Sequence, residues 1–160
     1  MSEVVDTATR PTLNLQRTFE APRELVWRAW TRPELMVNWM GPVEWPMVAG
    51  SADFRVGGEW RACLRSVETG ADLWQGGVYR EIVPPERLVF TFKWDESHED
   101  GPPVDTLVTV VLTEVSDTET LMDFTHEGLK SEASLTGHKH GWTSTFERLE
   151  AFLQNQERGD

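Results

Sequence analysis

The sequence predicts an α+β domain in which a curved antiparallel sheet of six to seven strands wraps a long C-terminal helix, with two short helices after the first strand. Three observations predict it. Apolar residues recur at period two between residues 45 and 126, with turn signals between the runs. Paired glycines and prolines punctuate those runs at Gly57-Gly58, Gly76-Gly77 and Pro84-Pro85. After Gly128 the period changes to 3.6 and stays there to about residue 156.

Residues 1–11 are polar and unpatterned and read as a flexible tail, as do 157–160, which leaves a single domain over 12–156. Leu13, Leu15 and Phe19 mark a first strand, interrupted on its apolar face by Arg17. Pro22 opens a helix that places Leu25, Val26, Ala29 and Trp30 at helical spacing. Thr31 and Glu34 stand at capping-box spacing, predicting a second helix over 32–39 that Gly41 and Pro42 stop.

The strands follow. A run over 45–54 leads through Gly57-Gly58 to one in which Trp60, Ala62 and Leu64 point inward and Cys63 outward. The next, over 73–83, carries Gly76-Gly77 inside it and is expected to bulge or bend there, which leaves the facing of Trp74 and Tyr79 open. Leu88, Phe90, Phe92 and Trp94 then share a strand face. An acidic stretch over 95–103 reads as a loop, and Val108, Val110 and Leu112 pair with a last strand bearing Met122, Phe124 and His126. In the final helix Trp142, Phe146, Leu149, Phe152 and Leu153 form one stripe, with Arg148, Glu150 and Gln154 opposite. Over 135–156 it would be roughly 33 Å long, enough to cross six or seven strands spaced ~4.8 Å apart.

Composition narrows the function. The chain has 160 residues and a net charge of −12, which sets a repulsive field against polyphosphate and argues against nucleic acid as a partner. No apolar run approaches the roughly 20 residues that span a bilayer, so no membrane insertion is expected. A single cysteine and an N-terminus without a signal pattern suit a cytoplasmic setting. Eight tryptophans are distributed along the chain, and each buried indole needs an acceptor for its N–H, which suits a large cavity or an extended core edge.

The segments FEAPRELVWRAWTRPELMVNWMGP, DFRVGGEWR, YREIVPPERLVFTF, TLMDFTHEGL and GHKHGWTSTFERLEAFL, in that order, resemble the Hsp90-ATPase-activator-homologue branch of the START-like (SRPBCC), helix-grip superfamily over residues 15–153. The resemblance implies a helix-grip fold. It is to the C-terminal domain of the eukaryotic co-chaperone only, and the N-terminal domain important for work on Hsp90 has no counterpart here, so Hsp90 is not the partner expected.

In such a fold Trp60, Phe90, Phe92, Met122, Phe124 and Trp142 read either as the lining of a cavity of ligand size or as plain core. His126 faces inward as a ligand-orienting group or as a satisfied core histidine, and His138, four residues before Trp142, shares its helical face. The His138/His140 pair diverges on a helix, and Glu127 points away from His126, so neither a metal site nor any cofactor is expected. No GxSxG motif or phosphate-binding glycine loop is present.

The expected function is non-catalytic binding of an apolar, lipid-like or aromatic small molecule between sheet and helix. One alternative is a cyclase- or hydrolase-like enzyme that uses a cavity histidine as general acid or base. Another is a co-chaperone or stress-related interaction module. A homodimer is compatible with the sequence. Ala62, on the inward phase, is the position where a larger side chain is expected to fill the cavity.

Overall fold

The alternation in the sequence reappears as burial in a computed structural model, which describes residues 10–95 and 102–158. Strand β1 (Thr12–Phe19) is followed by helices α1 (Arg23–Thr31) and α2 (Pro33–Met36). Six strands come next: β2 (Met47–Ala52), β3 (Glu59–Arg65), β4 (Asp72–Val83), β5 (Arg87–Trp94), β6 (Thr106–Ser116) and β7 (Glu119–Glu127). Helix α3 (Glu132–Arg158) closes the chain. The strands form one antiparallel sheet in the order β1-β7-β6-β5-β4-β3-β2. Residues 96–101 of the acidic stretch lie outside the described residues; Asp95, at its start, pairs with Arg61.

One sheet face builds the core. Thr120, Met122, Phe124 and His126 of β7 are buried, as are Thr106, Val108, Val110 and Leu112 of β6, while the residues between them stay half-exposed. Against this face pack α1, through Val26, Ala29 and Trp30, and the C-terminal half of α3, through Phe146, Leu149 and Leu153. Trp30 sits at the centre, with ring centroids 4.9 Å from Trp39, 6.2 Å from Phe124 and 6.3 Å from Trp142.

Several local expectations are corrected. The Thr31 hydroxyl does not cap α2; it donates back to the Trp27 carbonyl at 2.9 Å within α1, and the N-cap of α2 is Arg32, without a side-chain bond. Helix α2 therefore spans four residues, and turns carry the chain on to Met40. Gly41, at φ +88°, ends this segment in the left-handed region that glycine occupies without strain. Strand β2 is shorter than the run over 45–54, because Trp45 belongs to a turn in which its N–H reaches the Pro42 carbonyl at 2.9 Å.

The bulge of β4 lies between Tyr79 and Glu81, not at the glycines. Gly77 instead allows a close approach: a Cβ there would stand 1.8 Å from the Thr91 carbonyl oxygen. That oxygen accepts the Trp60 indole N–H at 3.0 Å, and the Val78 N–H turns to the Thr91 hydroxyl at 2.8 Å. Side-chain bonds thus replace ladder bonds at this point. Tyr79 faces the core and Trp74 the outside. Burial pushes the Tyr79 phenol up to about 12.

Helix α3 begins three residues earlier than expected, and its supposed outer face is partly engaged. Glu150 pairs with Arg17, which explains the charge inside β1. Arg148 reaches the turn after α2, where its Nη1 donates to the carbonyls of Met40 at 2.9 Å and Gly41 at 2.7 Å. Amphipathic spacing identifies the buried stripe but not which flanking charges are long enough to fold back. Among the described residues no helix is long and apolar enough to cross a membrane.

Candidate functional site

Large and small residues divide α3 into two halves, and the site follows from that division. In the C-terminal half, Phe146, Leu149, Phe152 and Leu153 fill the space over the sheet. In the N-terminal half, Ala133, Gly137 and Gly141 recur every four residues on one face and leave that space open. A Cβ built at Gly137 or Gly141 would meet nothing within 4 Å. The opening is a cavity of about 460 Å³ between the first half of α3, the inner face of β3 to β5, and the turn after α2. That volume lies in the range of small-molecule sites.

The predicted site residues divide into three groups. Phe92, His138 and Trp142 line this cavity. Trp60 and Phe90 line instead a small inner void of about 10 Å³, whose wall also includes Phe92 and Trp142. Met122, Phe124 and His126 line neither and are fully buried. Ala62, likewise fully buried, is not at the cavity, so it is not the position that fills it. Ala62→Leu should therefore overpack the sheet and cost about 1–3 kcal/mol in a urea melt. An unchanged or raised midpoint would mean that free space reaches that strand.

Polar groups at the cavity are few and mostly tied to one another. The Trp142 indole donates its N–H to Nδ1 of His126 at 3.1 Å. An indole can only donate, so Nδ1 is the acceptor, and the neutral ring carries its proton on Nε2. Nε2 in turn lies 2.8 Å from the Thr106 hydroxyl, which donates to the Phe92 carbonyl at 2.6 Å. One chain of hydrogen bonds thus runs from α3 through β7 and β6 to β5. Burial, followed by the charge of nearby His138, holds the His126 pKa well below that of a free histidine.

His138 stands at the cavity wall, its ring 5.1 Å from that of His126 and nearly perpendicular to it. Its Nε2 accepts the Trp94 indole N–H at 3.1 Å, and its Nδ1 lies 2.8 Å from the Ser134 carbonyl. Both histidines are therefore fixed in orientation by indoles.

Sequence reasoning missed the turn residues Met40, Gly41 and Trp45, the glycines of α3, and Gln75. The four-residue spacing of Ala133, Gly137 and Gly141 was the available signal for the glycines. Gln75 gave none, because the adjacent glycine pair obscured the alternation of β4.

Together these features define an α+β helix-grip domain with an apolar cavity under the first half of its gripping helix. The family described as "Activator of Hsp90 ATPase homolog 1-like protein" matches residues 20–154, and the chain belongs to that family. Among solved structures, protein CV1439 from Chromobacterium violaceum is similar at 26% identity and a TM-score of 0.78, covering 89% of this chain and 97% of that one. A putative uncharacterized protein from Rhizobium leguminosarum is 28% identical, with a TM-score of 0.75, over 91% of this chain and 95% of its own. The AHSA1 protein from Silicibacter pomeroyi shares the fold at 22% identity and a TM-score of 0.78, over 91% and 99%. Comparison with curated proteins finds no match.

Proposed function

We propose that the protein binds an apolar small molecule in the cavity under α3 and performs no chemistry on it. The observation that carries this reading is the pair Gly137 and Gly141. Glycine inside a helix is about 1 kcal/mol less favourable than alanine. A packing constraint can justify such a residue, but here an added Cβ would meet no neighbour. What both glycines have in common is the cavity they border. Keeping that space open is the function that accounts for them.

A carrier role is also supported by the histidines. His126 has one ring nitrogen bonded to Trp142 and the other to Thr106, and the cavity lining does not include it. A general base needs a nitrogen within hydrogen-bond reach of substrate. The groups that do line the cavity are chiefly aromatic and aliphatic, which suits a molecule held by surface burial.

The test is to fill the space from the helix. Gly137→Ala and Gly141→Ala should each stabilise the protein by about 0.5–1 kcal/mol, and Gly141→Leu should weaken any cavity ligand by at least about tenfold. Thermal shift against a library of hydrophobic compounds finds the ligands, and saturation at about 100 times Kd should add ~2.7 kcal/mol. If no compound class shifts the melting temperature, the binding reading is wrong.

A further inference from the structure

Most indoles of the core have an acceptor: Trp39 donates to the Ala29 carbonyl at 3.1 Å, Trp60 to Thr91 at 3.0 Å, and Trp142 to His126 at 3.1 Å. Trp30 is the one described core residue whose indole N–H is both buried and unpaired. It is 2% exposed, and its Nε1 has no hydrogen-bond partner. Gln75, also 2% exposed, has a side-chain carbonyl, Oε1, that accepts nothing. Both residues line the inner void of about 10 Å³. The two residues that border this small space thus carry one unpaired donor and one unpaired acceptor. Leaving a buried polar group unpaired is costly, and two such groups of opposite character call for one occupant that accepts from the first and donates to the second.

The size of the void limits that occupant to about one oxygen atom with its hydrogen. Met40, Gln75, Phe92 and Trp142 line both the void and the main cavity, so the two spaces share a wall. We propose that the natural ligand is a neutral alcohol or phenol whose hydroxyl points inward, accepting from Trp30 Nε1–H and donating to Gln75 Oε1, while its apolar body fills the cavity. This assignment rests on the cavity-binding reading above and names the class of ligand. A hydroxyl meets both demands at once. A carboxylate cannot donate to Gln75, and a hydrocarbon satisfies neither group.

Three compounds of one shape test it: 2-naphthol, 2-methylnaphthalene and 2-naphthoate, titrated calorimetrically into the wild-type protein and into Gln75→Leu. In the wild type, 2-naphthol should bind at least about tenfold tighter than 2-methylnaphthalene, with 2-naphthoate the weakest. In Gln75→Leu, where only the bond from Trp30 remains, that preference should fall severalfold while the hydrocarbon still binds. The Trp30 indole proton should shift in the NMR spectrum of the wild type on adding 2-naphthol and not on adding 2-methylnaphthalene, a readout independent of whether the variant folds. Equal affinities, a preference undiminished in Gln75→Leu, or a single water that stays bonded to Trp30 and Gln75 in the ligand complex would overturn the hydroxyl assignment and leave cavity binding intact. Failure of all three compounds, together with the hydrophobic library, would overturn both.

Discussion

His126→Leu should destabilise the protein by about 2–3 kcal/mol at pH 7.5 and remove part of its sensitivity to acid. The side chains are similar in size, so little of the loss comes from volume. It comes from the Trp142 indole, whose buried N–H donates to His126 and would be left without an acceptor. Thr106 would keep its donation to the Phe92 carbonyl, so that end of the chain of bonds is less affected. Trp142→Phe removes the stranded donor. The double variant should therefore lose about 1–2 kcal/mol less than the sum of the two single variants.

The pH dependence has a definite sign. His126 stays neutral in the folded protein, because burial, and secondarily His138, depress its pKa, whereas in the unfolded chain it takes up a proton near pH 6.5. Above that pH neither state is protonated and the stability is complete. As pH falls below 6.5, the unfolded state binds a proton that the folded state refuses, and stability drops by up to about 1.4 kcal/mol per pH unit until the folded pKa is reached. His126→Leu lacks this term. Urea unfolding at pH 7.5 and pH 5 should show the gap between wild type and variant narrowing in acid. A constant gap would mean that His126 is charged in the folded protein.

The legibility of this site in the sequence follows the kind of signal that each residue leaves. The two periods were sufficient to put His126 and Trp142 on facing inner surfaces, since β7 alternates cleanly and α3 keeps its stripe. They do not show that the two side chains bond to each other, because that depends on the distance between elements and not on the phase within either. The cavity was expected among the large aromatic residues, where Trp60, Phe90 and Phe124 instead pack against Trp30 or one another. It lies where side chains are absent, at Gly137 and Gly141, and hydrophobic patterning weights large residues and passes over missing ones. Trp45 was read as a strand residue and Met40 lay just beyond the expected helix; their place at the cavity depends on a turn held from outside its own segment, by Arg148.

That hold is the basis of the last expected result, that Arg148→Met costs about 2–4 kcal/mol and loosens the cavity wall. Arg148 is half-buried, and Nη1 lies 2.7 Å from the Gly41 carbonyl, 2.9 Å from that of Met40 and 3.3 Å from that of Trp39, while Nη2 lies 3.3 Å from that of Asn38. Four backbone acceptors thus converge on one cation at the point where Gly41 ends the segment. Hydrogen bonds to a charged group contribute about 1.5–3 kcal/mol each, and burial, which lowers the Arg148 pKa, offsets part of that gain. A second tie from α3, the Val43 N–H to the Ser144 hydroxyl at 3.1 Å, would remain and keep the turn from detaching altogether. Met40, Gly41 and Pro42 border the cavity, so amides over 39–47 should exchange faster in the variant and a cavity ligand should bind more weakly. Arg148→Lys should recover less than half of the stability, because an ammonium has no planar fork to spread over several carbonyls. The measurements are urea unfolding and hydrogen exchange on the three proteins. Equal stability of all three within ~0.5 kcal/mol would mean that the turn holds its shape without the guanidinium.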